Sequence, residues 1–172
     1  ENNNMAIDYQ IQVGGNLIIT QPVTTGPGSL FIVNGNALVN KTSPYNGSVT
    51  GDFVVHNAAN VSLTGNPDIN GALVADNVGP VSLTGTVDAS ASQYKAAIIL
   101  NTAGDITLSS IPSVAIGAQD AGILAYSSGG TVAVTVDKSL YFSGKSAVIA
   151  YSNANTTVTI SSGVNIRGLI YS

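Results

Sequence analysis

The chain has 172 residues, 44% of them hydrophobic but only 8% charged, with a net charge of −4 and no cysteine. That length suits one domain with a sizeable core, and the apolar content excludes a disordered chain. The scarcity of Lys, Arg and Glu excludes an ordinary helical surface, the acidic balance a nucleic-acid partner, and the missing thiols a disulfide framework or thiolate metal site.

The chain opens at "ENNNMAID" with no signal-peptide pattern, which fits either a cytosolic protein or a processed mature form. Residues 1–5 are expected to form a flexible segment and residues 6–29 an irregular first turn, with strand-like alternation from Ala6 to Val13. From residue 30 onward one phrase recurs. Leu30-Phe31-Ile32-Val33-Asn34 is followed by Phe53-Val54-Val55-His56-Asn57, then by Ala72-Leu73-Val74-Ala75-Asp76 and Ala97-Ile98-Ile99-Leu100-Asn101. Gly122-Ile123-Leu124-Ala125-Tyr126, Ala147-Val148-Ile149-Ala150-Tyr151 and Gly168-Leu169-Ile170-Tyr171 complete the series. Successive copies lie about 19 to 25 residues apart, in the range of solenoid repeats.

Each copy carries a second run: Val61 to Thr64, Val81 to Thr84, Ile106 to Ser109, Val132 to Thr135 and Val158 to Ser161. Their apolar/polar alternation is that of strands with one buried face. A shorter third run follows, at Ile69-Asn70, Val87 to Ala89, Val114 to Ile116, Leu140 to Phe142 and Val164 to Ile166. Gly, Pro, Asn and Ser separate the runs, as tight turns require.

Three short strands per repeat predict an all-β fold, a single-stranded parallel β-helix (β-solenoid) over residues 1–172. It is expected to be right-handed, with about seven turns and a length of roughly 30 to 35 Å. The alternative is a β-sandwich, which would need hairpins between consecutive strands. No turn can bury its apolar face alone, which is why the phrase repeats. Leu73, Ile98, Ile123 and Val148 are expected to stack in one inward column. Alternation then sends Val55, Val74, Ile99, Leu124 and Ile149 outward, as an exposed aliphatic column that would serve as an interface or ligand face unless the chain covers it. Tyr126 and Tyr151 fall on the same face in adjacent turns, and Tyr171 joins them if the last turn keeps register. Exposed tyrosines in a row can stack on sugar rings or pack on another protein, or simply brace the solenoid.

Signals for chemistry are few. The acids Glu1, Asp8, Asp52, Asp68, Asp76, Asp88, Asp105, Asp120 and Asp137 are scattered singly, without the clustering that acid/base or Ca²⁺-assisted cleavage of polysaccharide needs. They read as turn residues making local hydrogen bonds. Asp76 and Asp105, one coil apart, are the one pairing that could hold a weak Ca²⁺ ion. His56 has no carboxylate partner near it in sequence. "GNALVNKTS" lacks the Gly-Lys-Ser/Thr adjacency of a P-loop. No cofactor or metal is expected. Sequons at Asn40, Asn46, Asn60 and Asn155 arise readily by chance in so Ser/Thr/Asn-rich a chain. No apolar run approaches the length of a membrane-spanning helix.

"LFIVNGNALVN", "INGALVADN", "VSLTG" and "VNIRGLIYS" resemble the phrases of β-solenoid surface proteins from bacterial type IV pilus loci. The tāpirins, cellulose-binding surface proteins of thermophilic bacteria, are similar in the same way, and bactofilins more faintly. The resemblance spans the chain from about residue 30. It implies an extracellular structural or adhesive protein and transfers no individual functional residue.

The expected function is therefore that of a non-enzymatic extracellular structural or adhesion protein. The alternative is a polysaccharide-binding adhesin using the aliphatic and Tyr face, and a distant third is a polysaccharide lyase or hydrolase. Expected partners are other copies of the chain, end-to-end or laterally, or a polysaccharide surface, with no nucleic acid and no membrane insertion. An end-to-end filament is suggested by "VNIRGLIYS", which begins another first strand, and by Ala6 to Val13 at the other end.

Overall fold

A computed structural model describes residues 10–13, 17–19, 30–34, 37–39, 48–49, 52–56, 61–63, 68–76, 81–83 and 85–172, with side chains for 52–54, 69–76 and 85–172. The strands follow one another turn by turn. β1 (Gln10–Val13) and β2 (Leu17–Ile19) come first, then β3 (Leu30–Asn34), β4 (Ala37–Val39) and β5 (Ser48–Val49). The next turns are β6 (Phe53–His56), β7 (Val61–Leu63) and β8 (Asp68–Ile69), then β9 (Leu73–Asp76), β10 (Val81–Leu83) and β11 (Thr86–Asp88). β12 (Ala96–Thr102), β13 (Ile106–Leu108) and β14 (Ser113–Ala115) form the fourth three-strand turn. β15 (Ala121–Ser127), β16 (Val132–Val136), β17 (Leu140–Ser152), β18 (Thr156–Ile160) and β19 (Ile166–Tyr171) finish the chain.

Each strand pairs with its counterpart one turn away. An eight-stranded sheet, called sheet A here, runs β1-β3-β6-β9-β12-β15-β17-β19. Sheet B runs β18-β16-β13-β10-β7-β4-β2, and sheet C runs β14-β11-β8-β5. Every pairing among the described residues is parallel. The fold is therefore a parallel β-solenoid and not a β-sandwich. No helix occurs among the described residues, so none is long and apolar enough to cross a membrane.

The core is a stack of inward columns. Leu73, Ile98, Ile123 and Val148 are in register and fully buried, as the alternation predicts. Two residues on, Leu100 stacks among Ala75, Ala125 and Ala150, so small and large side chains share the narrow interior. Sheet B contributes Ile106 over Val132 and Leu108 over Val134; sheet C contributes Ile69 and Val87. Gly122 is bare because Phe142 lies against it: a Cβ there would meet the Phe142 ring at 2.3 Å.

Polar side chains tie the turns together at their corners. Ser127 Oγ donates to Gly104 O (2.7 Å) and accepts from Gly130 N (2.8 Å), and Ser152 Oγ repeats this one turn on, donating to Gly130 O and accepting from Ala154 N. Gly130 permits the stacking, since a Cβ would come within 2.3 Å of the Gly104 backbone. The carboxylates likewise reach between turns. Asp52 accepts from Ala72 N (2.7 Å) and Ser92 Oγ (2.8 Å), and Asp105 from Thr131 N (2.7 Å) and Oγ1 (3.0 Å). Asp137 accepts from Ile111 N (2.9 Å) and Ser110 Oγ (2.5 Å). Of the carboxylates expected to bond locally, Asp88 does so, accepting from Ser90 N at 3.0 Å. Asp52, Asp105 and Asp137 are inter-turn clamps instead.

Sheet C ends early. The run Leu140 to Phe142 does not extend it but merges with the following first run into the 13-residue β17. Leu140 and Tyr141 pair forward with Ile166 and Arg167 of β19. β14 is left without a partner on that side among the described strands, and a groove of about 370 Å³ opens between Val114–Gly117 and Ser139–Lys145.

Candidate functional site

The outer face of sheet A carries the residues expected to form a binding surface. Register decides which of them meet. Phe53 lies opposite Leu73, not Ala72, so Val54 is the residue in line with Val74, while Val55 stands opposite Ala75 and leaves the outward column. The slip is a single residue, and in a strand a single residue exchanges the two faces. The Val55 side chain lies outside the described residues. Val74, Ile99, Leu124 and Ile149 do stack in one column, in adjacent strands. They are not an exposed stripe, however. Val74 is 9% exposed, and Ile99, Leu124 and Ile149 are half-buried, because neighbours one rung above and below shield each side chain.

Tyr171 belongs to that column and not to the tyrosine row. The pairing of β17 with β19 is irregular at two points, with Gly168 set against Ala147, and it brings Tyr171 opposite Ile149. The shift is even, so Tyr171 keeps its face and changes its neighbour.

The exposed feature is the next column. Asp76, Asn101, Tyr126 and Tyr151 are in register across four strands, and His56, not Asn57, occupies the same position opposite Asp76. His56 therefore has a carboxylate position beside it that its sequence neighbourhood does not reveal; its side chain lies outside the described residues. Asn101 Nδ2 donates to Asp76 Oδ1 at 2.8 Å. The rings of Tyr126 and Tyr151 are stacked, with centroids 5.6 Å apart and planes 3° from parallel. They are 37% and 53% exposed. The Tyr151 hydroxyl donates to Asn153 Oδ1 (3.1 Å), and Asn153 Nδ2 donates to Ser128 O (2.9 Å), so the outer ring is held at its tip as well as its face. The column runs from a carboxylate and amide pair to a two-ring aromatic platform.

Asp76 and Asp105, the two carboxylates expected as a Ca²⁺ pairing, bond to different partners. Asp76 is engaged by Asn101 on sheet A and Asp105 by Thr131 at the entry to sheet B. No group of three or more His, Cys, Asp or Glu that could hold a metal ion occurs among the described residues. The hydrogen-bonded carboxylates carry the electrostatic signature of structural groups. The Thr131 N–H and hydroxyl hold the Asp105 carboxyl below the usual range, and the Ser90 hydroxyl and N–H do the same for Asp88. Burial pushes Asp137 up, but the Ile111 N–H and the Ser110 hydroxyl, with its own N–H and Lys138, outweigh that and leave it lowered. Burial and the charge of Asp52 push the Tyr94 hydroxyl up.

The groove beside β14 has no counterpart in the sequence reading. Val114, Ile116 and Phe142 are apolar lining, Ser139, Ser143 and the 64% exposed Tyr141 border it, and Lys145 Nζ closes one end by donating to Gly117 O. The groove lies where "LYFSGKSAVIAYS" runs as one strand with a bulge between Tyr141 and Ser146, at Gly144 with its positive φ, and joins sheet A in place of sheet C.

Comparison with protein-family models, with curated proteins and with solved structures finds no match to this chain.

Proposed function

We propose that the chain is a non-enzymatic adhesion module of the cell exterior whose sheet A face contacts polysaccharide. The stacked pair Tyr126 and Tyr151 carries the reading. Two parallel, outward aromatic rings present an apolar platform, and the adjoining Asn101 and Asp76 offer amide and carboxylate groups to sugar hydroxyls. Rings already stacked on each other, one fixed through Asn153, lose little freedom on binding, and such preorganisation favours affinity. The composition supports an exterior location: a surface of Ser, Thr and Asn in place of Lys and Glu.

The test is retention on insoluble polysaccharides, cellulose first, by the 172-residue chain and by Tyr126→Ala and Tyr151→Ala. Either substitution is expected to weaken retention at least about tenfold, which corresponds to roughly 1.4 kcal/mol, with circular dichroism unchanged. Retention that survives both substitutions in a folded protein sinks the proposal.

A second reading, structural assembly, is favoured by exposed apolar side chains on the strands last in their sheets. Ile160 on β18 is 49% exposed and Leu169 on β19 is 55% exposed. In a longer chain a further turn would cover them; in a filament, the next subunit would. Light scattering of the parent against Leu169→Lys with Ile170→Glu separates the two.

A further inference from the structure

The outer face of sheet B differs from that of sheet A. It has no charged side chain and no aromatic ring on β13, β16 or β18, whose sequences are ITL, VAVTV and TTVTI. Inward, Ile106, Leu108, Val132, Val134 and Val136 are buried. Outward, Thr107 stands opposite Ala133 and Ala133 opposite Thr157. Beside that column Ser109 follows Leu108, whose partner Val134 precedes Thr135, and Thr135 stands opposite Thr159. On the preceding turns the backbone sets Val81 opposite Leu108, and Ser82 opposite Ser62. Thr107, Ser109, Thr157 and Thr159 are exposed, while Ala133 and Thr135 are half-buried. Among the described residues the hydroxyls of Thr107, Ser109, Thr135, Thr157 and Thr159 have no hydrogen-bond partner within the protein, unlike those of Thr131 and Ser127, which are used in the corners.

We infer that this face binds ice. The sheet places hydroxyl and methyl groups on a two-dimensional grid, about 4.8 Å between rungs and about 6.6 Å between alternate residues of one strand. These spacings are close to the oxygen repeats of the ice lattice. Ice is uncharged and periodic in two directions, so the ligand must match a grid and offers nothing to an ion. The strands of this face carry no charge, and the exposed carboxylates of Asp105 and Asp137 border it at the corners, where each is bonded to the neighbouring turn. Each Thr supplies both needed parts: a hydroxyl able to replace one lattice water, and a methyl that holds the neighbouring waters in an ordered shell. Ala133 keeps the methyl where its column has no hydroxyl. A sugar-binding face would need the aromatic ring or charged group that sheet B lacks and sheet A has, so the inference is independent of the polysaccharide reading.

The experiment freezes a dilute solution of the 172-residue chain slowly from one surface and compares protein in the ice with protein in the remaining liquid. The chain is expected to be enriched in the ice, and Thr107→Lys and Thr157→Lys are each expected to return it to the liquid while circular dichroism stays unchanged. Thr157→Val, which exchanges the hydroxyl for a methyl of the same size, guards against a lysine that disturbs the strand and is expected to reduce enrichment partly. Tyr151→Ala, on the other face, is expected to leave enrichment intact. Exclusion of the parent from ice overturns the inference, as does undiminished enrichment of the folded Lys variants. Loss of retention on cellulose by Thr157→Lys in place of loss from ice would assign the face to polysaccharide and overturn it equally.

Discussion

Ile123 is flanked in its column by Ile98 and Val148 and is fully buried. Ile123→Ala removes methylenes from a site that cannot collapse, because each neighbour is held by its own rung. The expected cost is about 2 to 5 kcal/mol, read from urea unfolding. A cost below about 0.5 kcal/mol would mean that the residue is not inside. Ile123 was legible from the sequence because its repeat alternates cleanly around it. Val55 was not. "DFVVHN" offers consecutive apolar residues with no polar marker among them, so two registers one residue apart fit equally well, and only the ladder from Phe53 to Leu73 decides. The same ambiguity hid the proximity of His56 to Asp76. The second runs Val132 to Thr135 and Val158 to Ser161 meet two residues out of step, with Val134 opposite Val158, and an even offset keeps each side chain on its face.

At the scale of elements, strand order and sheet number follow from the spacing of the apolar runs, but the means of joining the turns do not. The acids look like isolated turn formers until the fold places Asp105 beside Thr131 and Asp137 beside Ile111, 26 residues away in each case. Side chains in neighbouring turns meet through a register that no local pattern encodes. The clamps Asp105 and Asp137 share a pH signature with the locally bonded Asp88. Asp88, Asp105 and Asp137 are held below the usual carboxyl value, so they favour the folded state while ionised. Their contribution is fully present above the unfolded carboxyl value of about 4 and is lost as pH falls through the lower folded values. The urea midpoint is expected to stay level from pH 7 to about pH 5 and then to drop below about pH 4. Asp137→Asn is expected to cost on the order of 1 kcal/mol at neutral pH, as hydrogen-bond losses do, and to make the acid drop shallower. An acid profile identical to that of the parent would show that Asp137 clamps nothing.

As a whole, the molecule is a one-dimensional stack in which each turn touches only the turns beside it. The repeat length and the three-run layout predict this, and the expectation of first and second strands in every turn holds in sheets A and B from β1 and β2 onward. The third sheet is where the structure departs from that layout, because "LYFSGKSAVIAYS" joins two runs in one strand that bulges between Tyr141 and Ser146. That departure has a mechanical side. Hydrogen bonds between turns lie along the long axis, so tension applied to the two ends loads the interfaces one after another, and the weakest yields first. The turn of residues 96–120 meets that of residues 121–145 through sheets A and B alone, without the ladder of sheet C. In its place stand the clamps from Asp137 to Ser110 and Ile111 and from Lys145 to Gly117. Side-chain contacts at an exposed rim give way more readily than a continuous main-chain ladder. Among the turns from β3 onward this is the joint expected to part under a pulling force, and Lys145→Ala with Asp137→Ala is expected to lower the force of its rupture in single-molecule extension. The missing strand is a shear pin: it sets where the stack breaks, and so which turns stay whole on either side.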